Sequence, residues 1–143
     1  MQQITLRTTQ NPIDFKDIFP LIQELNPSLS KAHFERYTAE MLASGNYYLL
    51  RAEKDQKLLG LSGYWIATKY YCAKYLEIDN FIVDSKYRNK GIGVALLNHM
   101  EAEAKTLGCK TIMLDAYVEN FAAHRFYYRH GFKGRGFHHL KEL

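Results

Sequence analysis

The stretch that most limits the fold runs over residues 75–107. In Tyr75-Leu76-Glu77-Ile78-Asp79-Asn80-Phe81-Ile82-Val83, the apolar Leu76, Ile78 and Ile82 alternate with Glu77, Asp79, Phe81 and Val83, the period-2 pattern of a strand. Asp84 and Ser85 interrupt it. Arg88-Asn89-Lys90-Gly91-Ile92-Gly93 follows, and from Ile92 the spacing changes. Ile92, Leu96, Met100, Ala104 and Leu107 recur every three or four residues, the apolar face of a helix. Gly108 supplies its C-terminal stop. Strand, glycine loop and helix, in that order, put the glycines at the helix start.

That order has a chemical use. The first turn of a helix carries backbone N–H groups without intrahelical partners, and the helix dipole adds positive character there. Glycine lets the backbone approach an anion with no Cβ in the way. A pyrophosphate is the natural guest, and Lys86, Arg88 and Lys90 add charge around it. The alternative for the same residues is an ordinary solvated turn, which is the simpler reading of Lys86 taken alone. No G-K-[ST] follows the glycines, which argues against a nucleotide triphosphatase.

A chain of 143 residues with 47% hydrophobic content suits one domain, residues 1–143, with a real core. The opening Met1-Gln2-Gln3-Ile4-Thr5-Leu6-Arg7 has no apolar core region, so no signal peptide is expected. No apolar run approaches membrane-spanning length, and no membrane partner is expected. Cys72 and Cys109 have no C-x-x-C spacing and read as buried free thiols in a reducing cytoplasm. The net charge of +4 fits a polyanionic small ligand. It also permits weak nucleic-acid contact, but no basic stripe or binding motif accompanies it, so no nucleic acid is expected.

Taken in order, residues 4–7 form a short strand. Asn11-Pro12 and Asp14 start a helix that Pro20 should kink or divide. Ser30 caps a second helix reaching about Ala43. Residues 47–53 and 57–67 read as a hairpin around Lys54-Asp55-Gln56, and residues 68–73 as a loop into the central strand. After Gly108 come a strand over 111–117, a helix over 121–130 and a final strand over 132–140. The expected fold is mixed α/β, a central sheet flanked by helices in the order β-α-α-β-β-β-α-β-α-β.

Asn120-Phe121-Ala122-Ala123-His124-Arg125-Phe126-Tyr127-Tyr128-Arg129-His130-Gly131-Phe132 carries N-x-x-A-x-x-x-Y-x-x-x-G-F. Together with Arg88-x-x-Gly91-x-Gly93, at this separation and in this element order, the chain resembles the GNAT superfamily of acyl-CoA-dependent N-acetyltransferases. The resemblance implies a GNAT-like fold and acetyl-CoA as co-substrate. It implies a CoA pyrophosphate loop at Arg88, Asn89, Lys90, Gly91, Ile92 and Gly93, and a pantetheine arm paired to the backbone of Phe81, Ile82 and Val83. It places Asn120 near the pantetheine and gives Tyr127 the role of protonating the departing thiolate. Members often dimerise, which allows a homodimer here, although no interface is legible. Ala123-His124-Arg125-Phe126-Tyr127-x-Arg129-x-Gly131 and the terminus rich in Phe and His resemble the aminoalkylphosphonate N-acetyltransferase branch, which does not by itself name the substrate.

The implied reaction is attack of a primary amine, on a small molecule or a peptide, at a thioester carbonyl. An alkylammonium with a pKa near ~10.4 is about one part in a thousand free amine at neutral pH, a handicap of roughly 4 kcal/mol. A base, or a water held by one, would remove that proton. Glu77 and Asp79 share one face of the strand. Glu77 matches the catalytic Glu of some superfamily members and is the preferred base, with Asp79 in reserve; solvated edge carboxylates are the plainer reading of both. Tyr64, Trp65, Tyr70, Tyr71 and Tyr117 are aromatic candidates for an acceptor pocket. The six histidines show no paired spacing with a carboxylate, so no metal is expected. An acyl-CoA-binding regulatory module without turnover is the alternative function.

Overall fold

Alternation of side chains across the pleat explains why the middle of the chain is so apolar. Tyr47 and Leu49 point to one side of the sheet, Tyr48 and Leu50 to the other, and both sides are covered by helices. The computed structural model describes residues 3–143; Met1 and Gln2, which open the segment expected to carry no leader, lie outside the described residues.

Five strands form one sheet: β1 (Thr5–Thr9), β2 (Tyr47–Lys54), β3 (Lys57–Lys69), β4 (Ala73–Val83) and β5 (Thr111–Leu114). They lie in sequence order, antiparallel throughout except for the parallel pair β4–β5. The parallel pair needs a crossover, and α3 (Ile92–Thr106) supplies it. α3 lies on one face, burying Ile92, Leu96, Leu97, Met100 and Ala104 against Leu50, Tyr64, Leu76 and Ile78. Each of the buried leucine, isoleucine and methionine side chains stabilises the fold by about 1.5–3 kcal/mol. The helix ends where expected. Gly108 has φ +79°, its N–H donates to the Lys105 carbonyl at 3.1 Å, and Cys109 N–H donates to the Ala104 carbonyl at 2.8 Å. That pair of bonds is a Schellman motif, and the left-handed residue it requires is why a glycine stands there.

The opposite face carries α1 (Phe19–Leu25) and α2 (Lys31–Ala43), which cover Tyr47, Leu49, Leu61 and Ile82. Pro20 does divide the first helical stretch. Asn11 caps a 3-10 turn over Pro12–Phe15, and α1 restarts with the proline in its first turn, where no donor is lost. The Ser30 hydroxyl accepts from His33 N–H at 3.1 Å and so caps α2. Arg51, 4% exposed, ties this layer to the sheet: it donates to Asp17 at 2.6 Å, Glu53 at 2.8 Å and the Asp14 carbonyl at 2.6 Å. α4 (Phe121–Arg129) closes the fold, capped by Asn120, whose side-chain oxygen accepts from Ala123 N–H at 3.2 Å.

The structure corrects several expectations. First, the central strand does not alternate evenly. Leu61 faces Ile82 and Gly63 faces Asp79, so Asn80 and Phe81 together oppose Ser62, a β-bulge with Asn80 at φ +59°. The bulge reverses the alternation: Leu76 and Ile78 pack beneath α3, but Ile82 packs with α1 and α2. Second, residues 68–73 are not a loop. β3 runs to Lys69 and β4 begins at Ala73, joined by a tight turn over 70–72. Third, residues 132–140 form no strand. Gly134 and Gly136 leave that segment with few side chains to bury, and every residue after Phe132 is exposed. The β5 ladder is also shorter than expected, ending at Leu114. Cys72 and Cys109, expected to be buried, are only partly so, because each lies at an end of the sheet layer rather than within it.

Candidate active site

β4 outruns its neighbour. The β4–β5 ladder stops at Ile78↔Leu114, while β4 continues to Val83 beside β3 alone. A strand edge is therefore left open from the bulge onward. The orientation of its amides follows from one bond. Asp84 N–H donates to the Leu59 carbonyl at 2.8 Å, so residues 84 and 82 face β3, and residues 81 and 83 turn their amides to the open edge. Of the three residues expected to pair with a ligand arm, Phe81 turns its backbone groups to that side, Val83 leaves only its N–H free there, and Ile82 faces β3 instead. The Val83 carbonyl accepts from Arg88 Nε at 3.0 Å.

At the end of this edge the chain turns through Asp84, whose carboxylate accepts from Lys86 N–H at 3.0 Å, into the glycine loop. Asn89 (φ +62°) and Gly91 (φ +81°) are both left-handed, which curls the loop backbone into a concave turn ahead of α3. Gly91 is the N-cap of α3 and has no side chain to accept from the first turn. The first intrahelical bond runs from Ala95 N–H to the Gly91 carbonyl at 3.0 Å. The N–H groups of Ile92, Gly93 and Val94 are thus left for a guest. Space is available too: a Cβ on Gly91 would meet nothing within 4 Å. A Cβ on Gly93 would touch the Phe81 ring at 3.7 Å and the Phe126 ring at 3.9 Å. These observations fit a diphosphate at the helix start and an extended arm along β4. Arg88 reaches across to α1, donating to Glu24 at 2.9 Å, with both side chains about half exposed. Such a pair contributes about 0–1 kcal/mol, so it would yield readily to a phosphate.

Tyr127 stands on the far wall. Its ring meets Phe81 edge-on at 6.3 Å and packs against Phe126 and Phe132. Phe81 therefore touches both sequence motifs, the glycines and the α4 tyrosine. Burial alone pushes the Tyr127 phenol up to about 12; no hydrogen bond contributes. Asn120 is exposed and engaged as the α4 cap, so its side-chain oxygen already has a donor.

On the other side of β4, Glu77 and Asp79 share the face that carries Trp65, as their spacing predicts. Burial raises the Glu77 carboxyl above its ordinary range, and the nearby Asp115 adds to the rise. Asp115 in turn contacts His138 at 3.3 Å. Asp79 accepts from Trp65 Nε1–H and from the Asn80 side-chain amide, both at 3.1 Å. Asn80 accepts from Asn26 at the end of α1, also at 3.1 Å. Tyr47, whose phenol is raised by burial, completes this polar cluster beside Asn80 and Asp79. Its hydroxyl occupies the place a Gly63 side chain would need. A cavity of about 260 Å³ opens from the cluster toward Phe15, Ile22, Phe34 and Met41.

Of the aromatic candidates, Trp65 alone belongs to this cluster. Tyr64 is fully buried under α3, and Tyr70, Tyr71 and Tyr117 are exposed. Tyr47, Asn26 and Asn80 escaped the sequence reading. The signals were Gly60 and Gly63 inside a strand and an asparagine in mid-strand, both marks of a bulge. Among the described residues no three His, Cys, Asp or Glu side chains gather as a metal-binding group, and no helix is long and apolar enough to cross a membrane.

Comparison with known proteins agrees with this geometry. The model of the "Acetyltransferase (GNAT) family" matches residues 15–132. The chain is 29% identical over 133 residues to an aminoalkylphosphonate N-acetyltransferase of Salmonella typhimurium, covering 91% of this chain and 86% of the relative. It is 25% identical over 135 residues to glucosamine 6-phosphate N-acetyltransferase 1 of Dictyostelium discoideum, covering 87% and 84%. With a glucosamine 6-phosphate N-acetyltransferase of Arabidopsis thaliana it shares 26% over 98 residues, which is 65% of this chain and 66% of the relative. An aminoglycoside N-acetyltransferase solved in complex with CoA has the same fold, with a TM-score of 0.84 over 100% of this chain and 97% of that one at 17% identity. An open β4 edge that leads into a glycine-capped helix, under a family match spanning most of the sequence, identifies the chain as a member of the GNAT family and an acetyl-CoA-dependent N-acetyltransferase.

Proposed function

We propose that the whole chain, residues 1–143, works as one cytoplasmic catalytic domain that acetylates a primary amine by direct attack on the acetyl-CoA thioester. The observation that supports it best is the continuity of three features around Phe81: the free N–H groups of α3, the open edge of β4 and the Tyr127 phenol. In this reading Arg88, Asn89, Lys90, Gly91, Ile92 and Gly93 hold the pyrophosphate. The Phe81 and Val83 amides hold the pantetheine arm. Bound acetyl-CoA supplies the activated acyl group.

The protein's own groups do the rest. Glu77, with its raised carboxyl, takes the proton from the incoming ammonium, directly or through a water; Asp79 is the alternative base. Tyr127 donates a hydrogen bond to the sulfur as the carbon–sulfur bond breaks. Asn120 flanks the arm from the start of α4. The named acceptors of two relatives, glucosamine 6-phosphate and aminoalkylphosphonate, are amines that carry a phosphorus oxyanion. A primary-amine acceptor is the common element carried over here, and a homodimer remains compatible with it. A thiol-release screen with acetyl-CoA and a panel of small amines and peptides tests the proposal. Amine-dependent release supports it; acetyl-CoA binding without release on any amine would favour a regulatory module.

A further inference from the structure

Resting on that reading, the cavity beside the β4 bulge identifies the acceptor more closely. It has two unlike ends. The polar end is Asp79, Asn80, Asn26 and the Tyr47 hydroxyl; the other end is mainly apolar, with Phe15, Ile22 and Met41 on its walls and Thr38 and Tyr37 contributed by α2. Among the described residues no lysine, arginine or histidine lines it. Arg36 and His33 stand against the Tyr37 ring, at 5.3 Å and 5.4 Å, and neither faces the cavity as a lining residue.

Each oxygen of Asp79 holds one donor, Trp65 on one and Asn80 on the other. A carboxylate offers about four acceptor sites, so both oxygens keep capacity for a further donor. An ammonium can use that capacity with three donors, and a fully ionised phosphate or phosphonate has none to offer. An anion there would be taken out of water beside a carboxylate with no cation to pair with it, the costly way to bury charge. The size is also informative. A dry apolar cavity of about 150 Å³ accepts benzene; at about 260 Å³, this one has room for a phenyl ring and a short alkylamine arm.

We propose that the acceptor is a small primary monoamine with an aromatic or branched aliphatic body and no anionic group, its nitrogen placed at Asp79 and its body among Phe15, Ile22 and Met41. The chain would then differ in acceptor chemistry from the relatives named for phosphorus-bearing amines.

The test compares kcat/KM for thiol release at saturating acetyl-CoA with four probes: 2-phenylethylamine, 3-methylbutylamine, 2-aminoethylphosphonate and glucosamine 6-phosphate. The expected preference for the two apolar amines is at least about 100-fold. Met41→Lys, which sets a cation on the cavity wall, should shrink that ratio at least ~10-fold while leaving the heat of acetyl-CoA association unchanged. Thr38→Trp, which fills the cavity from α2, should raise KM for 2-phenylethylamine and spare acetyl-CoA affinity. Equal or better turnover of the phosphorus-bearing amines by the unaltered protein overturns this inference and leaves the acetyltransferase reading standing. Transfer to none of the four also overturns this inference; the acetyltransferase reading falls only if the wider panel of amines and peptides gives no release either.

Discussion

Tyr127→Phe separates a chemical role from a packing role, because the two predict different readouts. The phenol lies at about 12 through burial alone. A thiolate whose thiol has a pKa near ~8.5 is then a weaker base than the Tyr127 phenolate by roughly 3.5 units, so complete proton transfer from Tyr127 to it is uphill by about 5 kcal/mol. In the proposed mechanism Tyr127 would therefore serve better as a hydrogen-bond donor that steadies charge on sulfur than as an acid that fully gives up its proton. A hydrogen bond to a charged group contributes about 1.5–3 kcal/mol. Its loss should lower kcat by roughly 10- to 150-fold. The ring contacts with Phe81, Phe126 and Phe132 survive in phenylalanine, so stability and acetyl-CoA affinity should stay close to those of the parent. The assay is thiol release under saturating acetyl-CoA, read beside calorimetry and a melting curve. Full turnover by the variant would refute the donor role. A fall in affinity or melting temperature as large as the fall in kcat would show a packing residue instead.

Glu77→Gln should cost about 100- to 10,000-fold in kcat/KM near neutral pH. The raised Glu77 must lose its proton to act as base, so the parent's activity should climb with pH through a limb above the ordinary carboxylate range. The variant should lack that limb and rise steadily toward the amine pKa; an unchanged profile would transfer the role to Asp79. Gly91→Val puts a β-branched residue at φ +81° and should strain the cap of α3, weakening acetyl-CoA binding at least ~10-fold. Gly93→Ala meets only ordinary contacts and should be far milder, which calorimetry on the pair will show. Arg51→Met should destabilise the fold by about 2 kcal/mol, a drop near ~6 °C in melting temperature. Arg51 and Arg7 hold Asp14, Asp17 and Glu53 below their ordinary range. That stabilisation is present above pH ~4 and is lost as pH falls through the lowered values, so the gap between parent and variant should narrow in acid.

The parts of the fold that repeat were legible in the sequence. The three- and four-residue spacing from Ile92 to Ala104 marked α3, and Gly108 marked its end, because each depends on nearest neighbours along one helix. Ser30 marked a helix start and Pro20 a helix break for the same local reason. The bulge was not legible, since one extra residue leaves no period, and it moved Ile82 to the face opposite Leu76 and Ile78. The reach of Arg88 to Glu24 and of Asn26 to Asn80 joins residues far apart in sequence, which no local pattern encodes. The terminal segment misled in the other direction: Phe132, Phe137 and Leu140 suggested a strand, but the intervening glycines and exposure leave it without ladder bonds. At the site, the glycine loop and Tyr127 were found by motif, and the polar cluster around Tyr47 appeared only once β2, β3 and the bulge stood side by side.

The most direct measurement sets acetyl-CoA against acetylpantetheine in a calorimeter, since the two share the thioester arm and differ by the diphosphate-bearing nucleotide. If the free N–H groups at the start of α3 grip the diphosphate, acetyl-CoA should bind with measurable heat and acetylpantetheine at least ~30-fold more weakly. Equal affinities, or no heat with acetyl-CoA at all, would contradict the account.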